Sequence, residues 1–464
     1  MSDIDKAKYR KRLNNLNNYC NSPAISILKK QRKSILEMIM KLTQHLRKQA
    51  QFLASTVLAV SAFSVSTSAY ADSPQGAYHT GEYRNVFVEL GLGNEAQVKK
   101  KVDKAYQQLF YSKSRGTENG KALFFPVGDD MGFIKDIGSN DVRSEGMSYG
   151  MMIALQMNDQ PMFDKLWKFS KTFMQHQEGW YEHYFAWHVQ AEAPYNQISH
   201  NPAPDGELYF AMALLMAENR WGGKEGIFAY ADEANTILDA MVNKPETSTA
   251  VPMFSREEQQ ILFVTEKSLG IYTDPSYHVP AFYQLMGEWA SVENELWTAA
   301  ADTSRNYLHI SQHPETGLYA EYAAFDGTPQ VTSFNKISHQ SGYDAFRVIG
   351  NIAMDYNWFA ADEGQKQLVE KQLRFYNEEY KKHGQNFQVH SMEGVPQVEW
   401  SSHGQLAMNA TGALVIDNQD AHDYVKRLWK QDLPTGKWRY YDGLLQMFAL
   451  LHLSGEYQIY APSN

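Results

Sequence analysis

From about residue 95 onward, apolar side chains recur at three- and four-residue intervals over stretches of several turns, separated by short polar breaks. The spacing predicts helices near 96–110, 144–158, 161–176, 206–220, 229–242, 278–289, 292–309, 341–355, 363–383, 402–416, 418–430 and 443–453. The apolar stripes come in two widths. In 229–242, Tyr230, Ala234, Ile237, Leu238 and Met241 form one narrow stripe, with Asp232, Glu233 and Asp239 off it, as in a half-exposed outer helix. Gly206 to Leu215 is apolar or small nearly all round, as in an inner helix. Strand signals are few and short. An all-α closed toroid of six helix pairs, inner alternating with outer, fits this pattern. No Pro-, Gly- or Ser-rich break is long enough to be a linker, so residues 72–464 read as one domain. Residues 176–205 carry no periodicity, and a loop of that length in a compact domain is usually functional; it is expected to form part of a mouth.

The first residues depart from this pattern. Lys41, Arg47 and Lys48 precede Phe52 to Val65, a run without charge, which ends in Ala69-Tyr70-Ala71 before Asp72. A charged region, an apolar region and a small-residue cleavage site define a secretory signal peptide over 40–71. The apolar run falls short of the roughly 18 residues of a transmembrane span, although an uncleaved anchor is the alternative. Residues 1–39 precede that signal and read as an upstream extension outside the fold, with Met38 and Met40 placed where a start is expected. The single cysteine, Cys20, lies there, so neither a disulfide framework nor a Cys–His zinc site is open to the rest of the chain.

Charge divides the same way. Of 43 basic and 53 acidic side chains, 12 and 3 lie in residues 1–71, which leaves 31 against 50 in the body. An acidic body argues against nucleic acid and anionic membrane surfaces as partners. It suits a soluble protein with a neutral substrate; the signal peptide makes it an exported one, periplasmic or extracellular, and it is expected to be a monomer.

Three carboxylates stand where charge is costly. Glu145 opens the apolar helix that follows Asp141-Val-Arg-Ser-Glu-Gly-Met-Ser-Tyr-Gly150. Asp205 opens another in Pro202-Ala-Pro-Asp-Gly-Glu-Leu-Tyr-Phe210, and Asp344 a third in Ser341-Gly-Tyr-Asp-Ala-Phe-Arg347. Each alone is as readily a helix-start carboxylate or N-cap, with Ser144 capping the first. Together they would converge on one end of a toroid, where glycoside hydrolysis needs an acid to protonate the leaving oxygen and a carboxylate acting through water or as nucleophile. Aromatics make up 13% of the chain, and many fall in predicted loops: Trp180, Tyr181, Tyr184, Trp187, Tyr277, Tyr343, Trp400, Trp438, Tyr440 and Tyr441. Flat apolar faces beside carboxylates suit a sugar chain, although part of this set is expected to be core. Neither a phosphate-cradling Gly-Lys-Ser/Thr loop nor a His-Glu-x-x-His element occurs.

These motifs, in this order, resemble glycoside hydrolase family 8. Ala203-Pro-Asp-Gly-Glu207 with Ala211, Leu214, Ala217 and Trp221 is similar to that family's Asp-Gly-Asp/Glu element. Pro204, in place of the more familiar Ser or Thr, together with Thr273-Asp-Pro-Ser-Tyr-His278, resembles the xylan-active members. The resemblance implies an (α/α)6 toroid, an inverting mechanism without a cofactor, and a xylo-oligosaccharide or xylan substrate. It implies Glu145 as general acid and Asp344 as general base, with Tyr277 helping to hold the attacking water and Trp187 beneath the sugar at the cleavage subsite. Asp205 would bind and distort that sugar, Arg347 would orient the base, and Tyr441 would support the site. Val127-Gly-Asp-Asp-Met131, the sequence around Glu145 and Met354-Asp-Tyr-Asn-Trp358 resemble the reducing-end xylose-releasing exo-oligoxylanase branch. There a loop closes the leaving side after one sugar and a histidine holds the reducing-end hydroxyl; His403 is the candidate. An endo-xylanase, a β-glucanase, a chitosanase, an inactive polysaccharide-binding toroid and a polysaccharide lyase are the alternatives. The lyase would need a basic cleft.

One tension stands. A helix N-terminus and Arg143 both lower a carboxyl pKa, whereas a general acid needs it raised. Desolvation and the charge of Asp205 would have to outweigh them at Glu145.

Overall fold

The computed structural model describes residues 75–462, and among these twelve helices of nine residues or more alternate between two rings. The outer ring is α1 (Glu95–Tyr106), α3 (Gln160–Phe169), α5 (Tyr230–Asn243), α7 (Asn294–Ser311), α9 (Gln365–His383) and α11 (Gln419–Lys430). The inner ring is α2 (Ser144–Gln156), α4 (Pro204–Trp221), α6 (Pro280–Trp289), α8 (Phe346–Phe359), α10 (His403–Thr411) and α12 (Arg439–Leu453). Around the inner ring α2 packs on α4, α4 on α6, α6 on α8, α8 on α10, α10 on α12, and α12 returns to α2. Each outer helix packs on an inner neighbour, α1 on α12. This is the (α/α)6 barrel. The signal peptide and the upstream extension lie outside the described residues.

Stripe width sorts the two rings. All of α2 except Glu145 is buried, and α4 is buried continuously from Pro204 to Ala217. In α5 the buried set includes Tyr230, Ala234, Ile237, Leu238 and Met241, the stripe the spacing predicts. Met147, Met151, Met152, Ile153 and Leu155 are fully enclosed, each such burial contributing about 1.5–3 kcal/mol. On the barrel axis Tyr149 meets Tyr209 and Phe448 edge-on, at centroid separations of 4.6 and 5.2 Å. That aromatic floor joins α2, α4 and α12 below the mouth.

Among the described residues the strands form three antiparallel pairs: β1 (Phe124–Val127) with β2 (Met131–Ile134), β3 (Asp141–Arg143) with β4 (His188–Gln190), and β5 (Phe254–Ser255) with β6 (Gln260–Ile261). The second matters for function. Its register sets Arg143 opposite His188, and so fastens the long loop that carries Trp187 to the chain entering α2.

α1 and α3, expected to reach 110 and 176, pass after Tyr106 and Phe169 into π-helical turns, and three boundaries on inner helices differ from expectation. α8 begins at Phe346, behind a 3₁₀ turn over Tyr343–Ala345, so Asp344 sits on the turn rather than inside the helix. α10 ends at Thr411 and passes into a 3₁₀ turn, Gly412–Leu414. α12 starts at Arg439, four residues early, which brings Tyr440 and Tyr441 into its first turn. Gly443, read as a start, is a buried interior residue there.

Candidate active site

The N-terminal ends of α2, α4 and α8 meet at one mouth of the barrel, and a single guanidinium ties them together. Arg347, on the first turn of α8, contacts Glu145 Oε2 at 3.2 Å, Asp205 Oδ2 at 2.7 Å and Tyr149 Oη at 2.9 Å through Nη1. Nη2 donates to Asp344 Oδ1 at 2.9 Å and Ser276 Oγ at 2.7 Å, with Asp274 Oδ2 at 3.7 Å. The three acids singled out in the sequence converge, and Arg347 contacts all of them. None of the three is an N-cap. The caps are Arg143 for α2, Ala203 for α4 and Ala345 for α8, none with a side-chain capping bond. Ser144 is therefore not the cap; it is the first helical residue, and its N–H donates to the carbonyl of Trp187 at 2.9 Å.

Close approach of helix ends makes this possible. A Cβ on Gly206 would lie 2.6 Å from Ser144 Oγ, so glycine lets α4 cross α2 where Asp205 and Glu145 face each other. A Cβ on Gly146 would lie 2.6 Å from the Tyr440 ring and hydroxyl. With glycine there, Tyr440 lies over α2 and its hydroxyl donates to Glu145 Oε1 at 2.8 Å.

Charge is concentrated without solvent to relieve it, since four carboxyls share one cation. Burial pushes Glu145 up to about 7, with Asp205 and Asp344 adding to it and Arg347 and Arg143 opposing. Desolvation thus wins over the helix terminus and the arginines, as a general acid requires. Burial also raises Asp205, against Arg347, and raises Asp274 well above the usual range, with the charge of Asp344 adding. Glu207, two residues past Asp205, faces the other way. It is fully buried, accepts the N–H of Phe185 at 2.8 Å, and burial pushes it up to about 8. One acid of the Asp-Gly-Glu element therefore faces the mouth, while the other pins the loop leading to Trp187.

Two cavities meet at Glu145, Asp344 and Arg143. The first, of about 480 Å³, is lined by Trp187, Asp205, Tyr277, Phe263, Tyr322 and Phe334 among others. The second, of about 790 Å³, is lined by Trp400, Trp438, Tyr343, Tyr440, Tyr441 and Glu321 among others. Trp187 lies parallel to His188 at 3.7 Å with the Arg143 guanidinium 5.5 Å from its ring, and His188 faces Asp141 at 3.3 Å. Tyr441 donates to the carbonyl of Tyr343 at 2.9 Å, next to Asp344.

Of the loop aromatics, Trp187, Tyr277, Tyr343, Trp400, Trp438, Tyr440 and Tyr441 line the cleft. Trp180, Tyr181 and Tyr184 do not; the indole of Trp180 donates to the Pro245 carbonyl and Tyr184 is core. His403 also stands apart from both cavities. Ser402 caps α10, so Trp400 and Ser401 before the cap face the cleft, while His403 is exposed. Asp442 fixes that turn, accepting from the N–H groups of His403 and Gly404. Asp274, Ser276, Tyr149 and Glu321 belong to the site but received no role from the sequence, and Tyr440 was read there only as a cleft aromatic. Asp274 lay inside a motif quoted for its resemblance, whereas nothing local to Tyr319–Ala324 marks Glu321.

An acid held protonated near neutrality, a second carboxyl across the same guanidinium and an aromatic-lined cleft with two arms define a glycosidase acting by acid–base catalysis. The chain belongs to the Glycosyl hydrolases family 8, which matches residues 129–455. It is 41% identical over 389 residues to the reducing-end xylose-releasing exo-oligoxylanase Rex8A of Paenibacillus barcinonensis, covering 83% of this chain and 99% of the relative. The structure of Rex8A complexed with xylose superposes with a TM-score of 0.77, covering 83% of this chain and 100% of that one. A family 8 xylobiose complex from Teredinibacter turnerae is 39% identical, with a TM-score of 0.79 over the same shares.

Proposed function

We propose that this glycoside hydrolase cleaves β-1,4-linked xylo-oligosaccharides with inversion, releasing xylose from the reducing end. The observation that carries the reaction is the bridge of Arg347 between Glu145 and Asp344 where the two cavities join. A sugar chain lying through both cavities puts its scissile bond there. Glu145 gives its proton to the glycosidic oxygen as the bond from that oxygen to the anomeric carbon breaks. Water attacks the anomeric carbon from the opposite face, and Asp344, as the carboxylate, takes the proton the water loses. Arg347 bridges the two carboxyls, 3.2 Å from Glu145 and 2.9 Å from Asp344, and an inverting pair would hold them roughly 6.5–9.5 Å apart. Trp187 underlies the sugar being attacked, Asp205 binds it and Tyr277 helps hold the water.

Relatives named for release of reducing-end xylose support the exo reading. One observation favours a second reading, endo-cleavage of xylan. The cavity with Trp400 and Trp438, on the leaving side in this scheme, is the larger, and its indoles are 58% and 71% exposed. The products formed from xylotriose to xylohexaose labelled at one end separate the two. Labelled xylose as sole early product supports exo action, and mid-length products support endo action. NMR of the first product reads its anomeric form, and a retained anomer would end the inverting assignment. We further propose export, with Asp72 as the new N-terminus; terminal sequencing of protein from the producing cell tests it.

A further inference from the structure

Glu321 is an acid at the mouth that the mechanism leaves unused. It is 2% exposed, and it sits on an extended segment fixed on both sides: its N–H donates to the carbonyl of Gln340, and Ala323 exchanges two backbone bonds with Thr273. The side chain enters the larger cavity beside Asp344. Its Oε2 accepts from Asn335 Nδ2 at 2.7 Å, and the amide orientation is settled because Asn335 Oδ1 accepts the N–H of Ile337 at 3.1 Å. Its Oε1 is buried and has no hydrogen-bond partner. That oxygen lies against Gly342, two residues before Asp344, where a Cβ would come within 2.6 Å of it. A buried polar atom without a partner is costly.

We propose that Glu321 is a positioning residue for the general base: it stays a neutral acid, carries its proton on Oε1, and donates it as a hydrogen bond to Asp344. Arg347 would then hold one side of the Asp344 carboxylate and Glu321 the other, so that the plane of the base is set for its water. This rests on the assignment of Asp344 as base. The Asn335 amide can only donate to Oε2, which leaves Oε1 as the protonated oxygen. Burial pushes Glu321 up to about 8, Asp344 adds to this, and Asn335 and Arg347 oppose it. The other ionisable groups facing it are Tyr322 and Tyr343, both raised by burial and so silent in this range.

The test compares Glu321→Gln with Glu321→Ala on whichever β-glycan the wild-type enzyme hydrolyses, so that an error in the substrate does not touch it. Glutamine keeps a neutral acceptor for Asn335 and a donor toward Asp344. It should hold kcat within about threefold of wild type, whereas alanine lowers kcat roughly ten- to a hundredfold with KM little changed. The pH profile gives a readout that a packing role would leave unmoved. Above neutrality log kcat/KM of the wild type should fall with a slope approaching two, for Glu145 and Glu321 together, and that of Glu321→Gln with a slope of one. Equal slopes, or a glutamine variant as impaired as alanine, overturn the proposal. Should the alanine variant not fold, the glutamine slope decides alone.

Discussion

The two cavities that meet at Glu145 are built to opposite standards. Around Trp187 the backbone is tied on both sides, its N–H to Asn201 and its carbonyl to Ser144, and its ring is stacked on His188. Around Trp400 and Trp438 the indoles stand in solvent on the chain leading into α10 and α12. A platform tied in this way fixes one ring in the cavity it shares with Glu145 and Asp344, and at a reacting bond a misplacement of about 1 Å can cost a hundredfold. An open platform adds contact without fixing position. Fixed geometry therefore belongs to chemistry here, and adaptable contact to chain length.

The largest break in that contrast should come at the junction. Glu145→Gln and Asp344→Asn should each lower kcat by roughly a thousandfold or more on substrates of any length, with the fold retained by circular dichroism. With Glu145 at about 7 in the wild type, the free enzyme loses its acid as pH rises through that value, so kcat/KM should fall above it. Trp187→Ala should cost about a hundredfold in kcat/KM, equally for short and long oligosaccharides. Glu207→Gln tests what holds the enclosed side. Glu207 is buried with its folded-state value raised to about 8, so the folded protein binds a proton that the unfolded chain loses near 4.5, and stability falls as pH rises between those values. Glutamine removes that loss, and its advantage in unfolding free energy over wild type, read by denaturant titration, should grow from pH 5 to pH 8 by on the order of 3 kcal/mol. The smallest effects belong to the open side: Trp400→Ala and Trp438→Ala should each raise KM about three- to tenfold, and only for oligosaccharides long enough to reach them.

Periodicity alone carried the barrel, because twelve amphipathic stretches of two stripe widths have few other ways to bury themselves. It misplaced the starts of α8 and α12 because the active site sits on those turns. Asp344 and Tyr440 obey the cleft rather than the helix pattern, and a period cannot register that. Glu145, Asp205 and Asp344 were visible as charges opening apolar helices. Glu321 was not, since its place comes from backbone bonds to Gln340 and Thr273 that join distant segments. His403 was drawn toward the substrate by resemblance, but a cap one residue earlier turns it to solvent.

The ring closes on its last helix: α12 packs against α10, α2 and α1, and delivers Tyr440 to Glu145. Until that helix has been synthesised, the first helices have no neighbour on one side and the acid lacks one of its partners. Folding must therefore bring together segments about 300 residues apart in sequence, a topology that slows the final step. A chain released short would hold most of the barrel's helices with an unfinished acid, so sugar turnover reports that the whole circuit has been completed.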